Sequence, residues 1–211
     1  MYSTFRSIGK DFFQNALFRD GFIWKLPEVP GAIALTFDDG PDEIFTPMML
    51  DLLGRHQIKA TFFLIGEKAE KSPSLVRRIV NEGHGIGNHS YRHRVITEQS
   101  RKELEIDLGR CRATLSNATG IDTRLFRPPK GKVSYRSIRS VCALGYKLVH
   151  WSKTYSDYKC DRIEHLMSQV VDHPPSKGDI VLLHDHNTFT LEVLEHVLPL
   201  WIKSGHTFCV L

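Results

Sequence analysis

From residue 30 onward, short apolar or β-branched runs alternate with segments of helical periodicity, and that alternation restricts the fold more than any other feature. The runs are AIALTF (32–37), KATFFLI (59–65), GHGIGNH (83–89), RLFRP (124–128), KLVHW (147–151), DIVLLH (179–184) and HTFCVL (206–211). Between them lie FTPMMLDLLGRH, SPSLVRRIVNEG, TEQSRKELEIDLGRCRATLSNATG, YRSIRSVCALG, RIEHLMSQVVDH and TLEVLEHVLPLWIKSG. Thr46 with Pro47, Ser72 with Pro73, and Thr97 are expected to open the first three helices, and Gly83 and Gly120 to close the second and third. Seven strands alternating with six helices predict an α/β fold with parallel strands and right-handed crossovers. An open doubly wound sheet and a closed barrel both satisfy that order. No G-x-G-x-x-G loop follows any strand, which favours a distorted β/α barrel of about seven parallel strands over a nucleotide-binding sheet.

The 211 residues, 41% apolar and 25% charged, suit one large domain with a sizeable core, and no linker or composition break divides it. The expected organisation is an N-terminal segment, 1–30, followed by the main domain, 31–211. In that segment Phe5, Ile8, Phe12, Leu17 and Phe18 recur at helical spacing, which predicts a helix packed on the barrel. A net charge of +4, scattered along the chain, argues against a nucleic-acid partner. Cys111, Cys142, Cys160 and Cys209 are widely spaced without a CxxC pair, so a cysteine cage for zinc is not expected. No run reaches the length of a membrane span. Charges at Arg6, Lys10, Asp11 and Arg19 interrupt any signal-peptide core. A cytoplasmic location is the expectation for the sequence as numbered, and an extracytoplasmic one if a processed segment precedes it.

Polar clusters fall at the ends of the expected strands. Asp38-Asp39 follow the first, His89 and His93 the third, and Arg127-Pro128-Pro129 the fourth. Asp157 comes soon after the fifth, and His184 ends the sixth. In a β/α barrel these ends share one face, where active sites are built. His89 and His93, at i and i+4, would share one side of a helical turn. Such a pair is weak evidence alone, but a carboxylate from a neighbouring strand completes two imidazoles and one carboxylate, a catalytic zinc set with open positions. A break in the strand at Asp38-Asp39 would let one carboxylate bind metal while the other faces the polarised water. Arg127 would keep that second carboxylate ionised, unless it only caps strand carbonyls. Asp157 could hold His184 in its imidazolium form as a general acid. The chemistry indicated is metal-assisted hydrolysis without a Ser or Cys nucleophile.

The motifs TFDDGP, HSYRH, RPPKG, WSKTYSDY and LLH, in this order, resemble those of the polysaccharide deacetylases with the NodB homology domain, carbohydrate esterase family 4, over residues 30 to 211. The resemblance implies a distorted β/α barrel and a zinc-dependent hydrolase that removes N-acetyl groups from GlcNAc-type residues of an oligo- or polysaccharide. It implies Asp38 as general base, Asp39, His89 and His93 as metal ligands, and Arg127 as the partner of Asp38. His184 would be the general acid and Asp157 its tuner. Leu182 would line the acetyl pocket, with Pro129, Lys130 and Tyr158 on the substrate side and the Lys130 N–H in the oxyanion hole. Lys130 stands where the family usually has an aromatic, and Thr154 and Tyr158 replace the first Asp and the Trp of D-x-x-D-W. The other histidines, His56, His84, His150, His165, His173, His186, His196 and His206, are expected to be structural or surface groups.

Three readings compete. A hydrolase of another amide, such as N-formyl on a lipid-linked sugar, would use the same groups. A non-haem iron oxygenase also takes two histidines and a carboxylate, but has no need of Asp38 or His184. An inactive carbohydrate-binding relative would not need the base, ligands and acid that are all present. The sequence leaves the glycan, the preferred ion and the oligomeric state open.

Overall fold

The computed structural model describes residues 21–26 and 31–211. The helix expected between Phe5 and Phe18 lies outside the described residues. Within them, nine strands form one parallel sheet that curls into an open barrel. They are β1 (Phe22–Ile23), β2 (Ala32–Gly40), β3 (Thr61–Leu64), β4 (Gly85–Asn88), β5 (Leu125–Phe126), β6 (Lys147–Val149), β7 (Lys153–Thr154), β8 (Ile180–His184) and β9 (Thr207–Phe208). The order around the sheet is β1-β6-β5-β4-β3-β2-β8-β7, and β9 pairs the start of β2. All seven expected strands are present. The two unforeseen ones, β1 and β7, are two residues each and form the edges of the open seam.

Among the described residues seven α-helices connect the strands: α1 (Phe45–Arg55), α2 (Gly66–Lys71), α3 (Pro73–Asn81), α4 (Arg101–Thr119), α5 (Tyr135–Ala143), α6 (Ile163–Asp172) and α7 (Thr188–Lys203). Only α2 was not expected. Two helix starts also differ from the expectation. Thr46 does not cap α1; its side chain is buried and bonded to Asp185, while Asp42 Oδ1 accepts from the Ile44 and Phe45 N–H groups at 2.9 Å each. Thr97 does not cap α4; Ser100 does, in a reciprocal capping box with Glu103. Gly120 ends that helix as expected, at φ 76°, a conformation that costs glycine nothing. Among the described residues no helix is long and apolar enough to cross a membrane.

Strand alternation divides the apolar groups between two sides of the sheet. Ile33, Leu35 and Phe37 of β2, Phe62 and Leu64 of β3, and Val181 and Leu183 of β8 pack outward against α1, α3 and α7. Ala34, Phe63, Val149 and Ile180 fill the barrel interior. A separate cluster joins β5 and β6 to α4 and α5 through Phe126, Leu148, Leu104, Leu108, Ile138 and Val141. With both faces buried, β2 reads as the continuous apolar run that parallel strands require. Its inward positions end with Thr36 and Asp38, so the interior passes from apolar to charged toward the C-terminal end.

His84 is a buried histidine set into this framework. Its Nδ1 accepts the Ala60 N–H at 3.1 Å and its ring meets Phe62 edge-on. Burial, with Lys59 nearby, holds its pKa down to about 4 against the partial opposition of Glu82. The folded state therefore favours neutral His84, and that stability is present above pH 6.5 and lost as pH falls through about 4. Urea midpoints at pH 7 and pH 5 should separate by more in the wild type than in His84→Gln. Equal separations would remove His84 from the acid response.

Candidate active site

The two adjacent aspartates serve different partners because β2 carries a bulge. Asp38 pairs with Phe63 of β3 and His184 of β8, whereas the next pairing to β3 is Gly40 with Leu64. Asp39 is the extra residue, in the left-handed region at φ 71°. The strand thus runs through both aspartates instead of breaking at them, and the bulge turns Asp39 toward the same end of the barrel as Asp38. Aspartate is among the side chains that enter this region most readily.

Asp38 is buried, and its Oδ1 accepts from Arg127 Nη1 at 2.8 Å. The same Nη1 reaches Thr36 Oγ1 at 2.7 Å, and Nη2 donates to the His150 carbonyl at 3.2 Å. The guanidinium is fully enclosed, stacked 4.1 Å from the Phe63 ring centre. Burial lowers the Arg127 pKa while Asp38 works against that. A charge so enclosed requires its counter-charge.

Asp39 faces the histidines. Its Oδ1 lies 3.3 Å from His89 Nε2 and 3.1 Å from His93 Nε2. One ligand atom from each of Asp39, His89 and His93 falls within 4.8 Å of the others. Burial alone would raise the Asp39 carboxyl, but the two imidazoles beside it hold it well below the usual carboxylate range. Asp39 Oδ1 is nevertheless buried without a hydrogen bond of acceptable geometry. An unsatisfied carboxylate oxygen facing two imidazole nitrogens is what a cation site needs, so the donor set fits a divalent ion. The Arg127 carbonyl sits 2.8 Å from His89 Nδ1. That bond places a proton on Nδ1 and leaves Nε2 free to ligate. The histidines are not on a helical turn: they sit on an irregular loop with positive φ at Ser90 (65°) and His93 (53°).

Across from this set, His184 Nδ1 bonds Asp157 Oδ1 at 2.9 Å, and His184 Nε2 lies 4.0 Å from Asp39 Oδ2. Asp157 Oδ2 also accepts from the His184 N–H at 2.7 Å and Thr190 Oγ1 at 2.8 Å. Burial pushes the imidazole down, but the Asp157 bond, with Asp38 and Asp39 behind it, raises its pKa to about 9. Tyr158 packs edge-on to His184 with ring centres 5.1 Å apart, Leu182 is buried on β8, and Pro129 is buried. Lys130 is exposed, with φ 58°.

The structure thus gathers Asp38, Asp39, His89, His93, Arg127, Asp157 and His184 at one end of the barrel. It adds residues the sequence did not reveal. His186, expected to be structural or at the surface, has its ring 5.3 Å from that of His184, and Thr190 anchors Asp157. The only available signal for His186 was its position two residues beyond His184 in a polar loop. Backbone strain marks the same place. Among the described residues six non-glycine residues have positive φ, and five lie at this end, Asp39 in the β2 bulge and Ser90, His93, Lys130 and Ser156 in the segments that follow the strands.

The polysaccharide deacetylase family profile matches residues 25–149. A peptidoglycan-N-acetylglucosamine deacetylase of Bacillus cereus is 36% identical over 190 residues, covering 88% of each chain. A chitooligosaccharide deacetylase of Azorhizobium caulinodans is 34% identical, covering 76% of this chain and 77% of its own. Among solved structures, a peptidoglycan N-acetylglucosamine deacetylase in complex with 4-naphthalen-1-yl-N-oxidanyl-benzamide superposes with a TM-score of 0.84 at 32% identity, covering 90% of both chains.

The buried ion pair gives a stability test. Arg127→Leu should cost about 3–5 kcal/mol in urea denaturation because Asp38 is left enclosed without a counter-charge. Adding Asp38→Asn should recover part of the loss. A cost below about 1 kcal/mol, the level of an exposed pair, would contradict the enclosure.

Proposed function

The chain belongs to the polysaccharide deacetylase family, and we propose that it is a zinc-dependent hydrolase removing N-acetyl groups from GlcNAc-type residues of a glycan. One observation carries the reading: consecutive carboxylates are divided, Asp38 onto Arg127 and Asp39 onto His89 and His93, with the Asp157-bound His184 opposite. The names of the relatives, which act on peptidoglycan and chitooligosaccharides, support the substrate class.

Asp39, His89 and His93 would hold the ion, and zinc suits two imidazoles and a carboxylate with positions left open. A divalent ion there supplies Lewis-acid polarisation to an amide carbonyl and to water. Asp38, paired with Arg127, accepts the proton of the attacking water. His184 gives a proton from Nε2 to the departing sugar nitrogen, while Asp157 fixes the ring through Nδ1 and stabilises its charged form. Leu182 and Tyr158 flank this end of the barrel, where the acetyl group and its sugar would sit. Two carboxylates, one arginine and one histidine therefore separate base, ligand and acid within one site.

Mass spectrometry of the zinc-loaded protein with chitooligosaccharides and peptidoglycan fragments tests the reading. Acetate release with a free amine on the sugar is expected. Release of formate from an N-formyl sugar, without acetate, would replace it with the other amide. His184→Gln should lower kcat by about 10²–10⁴, the usual loss with a positioned proton donor, while zinc content stays unchanged. Loss of zinc from that variant would move His184 out of the acid role.

A further inference from the structure

The turn from β3 into α2 takes no part in this chemistry, yet it is bonded to both arms that carry the proposed ligands. The Ile65 N–H donates to the Gly40 carbonyl at 2.8 Å, and Lys68 Nζ donates to the Asp39 carbonyl at 2.8 Å. The Gly66 N–H donates to the Ser90 carbonyl and the Glu67 N–H to the Tyr91 carbonyl, each at 3.0 Å. Two of these four bonds fall on the β2 bulge, and two fall on the loop between His89 and His93. Four consecutive residues therefore bridge the carboxylate arm and the imidazole arm.

Three of the bonds come from the backbone, and Gly66 lets that backbone approach. A Cβ there would lie 2.6 Å from the Tyr91 ring and 3.0 Å from Cys111 Cα, so a larger residue would force α2 away from the histidine loop. The fourth bond depends on a side chain. The left-handed turn at Asp39 displaces its carbonyl from the regular ladder, and a partly buried carbonyl needs a donor. Lys68, half-buried, supplies one. The bulge is also backed by Asp185, fully buried and bonded to Thr46. A Cβ on Gly40 would lie 2.8 Å from Asp185 Oδ2, so the bulge is held closely here as well.

We propose that Lys68 is a positioning residue for the metal site: it fixes the Asp39 peptide and thereby aims the Asp39 carboxylate at His89 and His93. The Ile65–Lys68 turn sets the distance between the two arms. The proposal rests on the metal reading above and concerns affinity, because supporting contacts around ligands typically govern it by about 10–100-fold. Lys68 touches neither the substrate position nor the reacting atoms.

The test is zinc affinity, read by competition with a chromophoric chelator on metal-free wild type, Lys68→Met, Lys68→Arg and Lys71→Met. Melting of the metal-free forms is followed in parallel. Lys68→Met should bind zinc about 10–100-fold more weakly. Lys68→Arg, which keeps a cationic donor, should regain part of the loss. Lys71→Met, at an exposed position on the same helix, should match the wild type. If Lys68→Met also melts earlier, the contrast with Lys68→Arg decides. Wild-type affinity in Lys68→Met, or equal loss in the Met and Arg variants, would overturn the donor role. Wild-type protein that takes up no zinc would instead overturn the metal reading itself.

Discussion

The left-handed backbone at Asp39 is the constraint from which the site follows. In a regular strand Asp38 and Asp39 would point to opposite sides of the sheet, one into the barrel and one into the helical layer. The bulge inserts one residue before pairing to β3 resumes at Gly40, and both carboxylates reach the same end of the barrel. A non-glycine residue in this region costs on the order of 1–3 kcal/mol and persists only when its surroundings hold it. Here they do so through Lys68 on the Asp39 carbonyl, Ile65 on the Gly40 carbonyl, and Asp185 packed against Gly40. As a central strand paired to β3 and β8, β2 gives the bulge a rigid base.

Electrostatics then separates the roles. Arg127 is enclosed beneath Asp38 and pairs with its carboxylate, and its own backbone carbonyl orients His89. One residue thus connects the proposed base to the proposed ligand set. Asp157, buried and accepting from the His184 backbone, the His184 ring and Thr190, favours a charged imidazole across the site. Opposite charges alternate at close range where water is largely excluded, so each is held by its neighbours more than by solvent.

Much of this was legible because strand order and motif position are written in periodicity. The seven short runs stand out because segments of helical periodicity separate them, and barrel geometry places their polar ends together. The parts that were not legible depend on contacts distant in sequence. β1 precedes the first expected run, and β7 follows β6 with no helix between them, so neither falls in the alternation of runs and helices. α2, GEKAEK, buries only Gly66 and Ala69 and shows no apolar stripe. Thr46 looked like a cap, but the tertiary bond to Asp185 draws it inside, and the S-x-x-E signature at Ser100 outranked Thr97. The i, i+4 histidine spacing suggested a helical turn, whereas the loop brings the rings to 4.9 Å through positive φ angles. Lys68 and His186 carry no motif; only folding shows what they touch.

If the bulge assigns metal binding to Asp39 and not to Asp38, the two asparagine variants must differ in their zinc content. Zinc content of Asp38→Asn and Asp39→Asn, measured after equilibration with zinc and removal of the free ion, tests it most directly. The expected result is a stoichiometric ion retained by Asp38→Asn and lost from Asp39→Asn, with hydrolysis impaired in both. Retention by Asp39→Asn together with loss from Asp38→Asn would reverse the assignment of the two carboxylates.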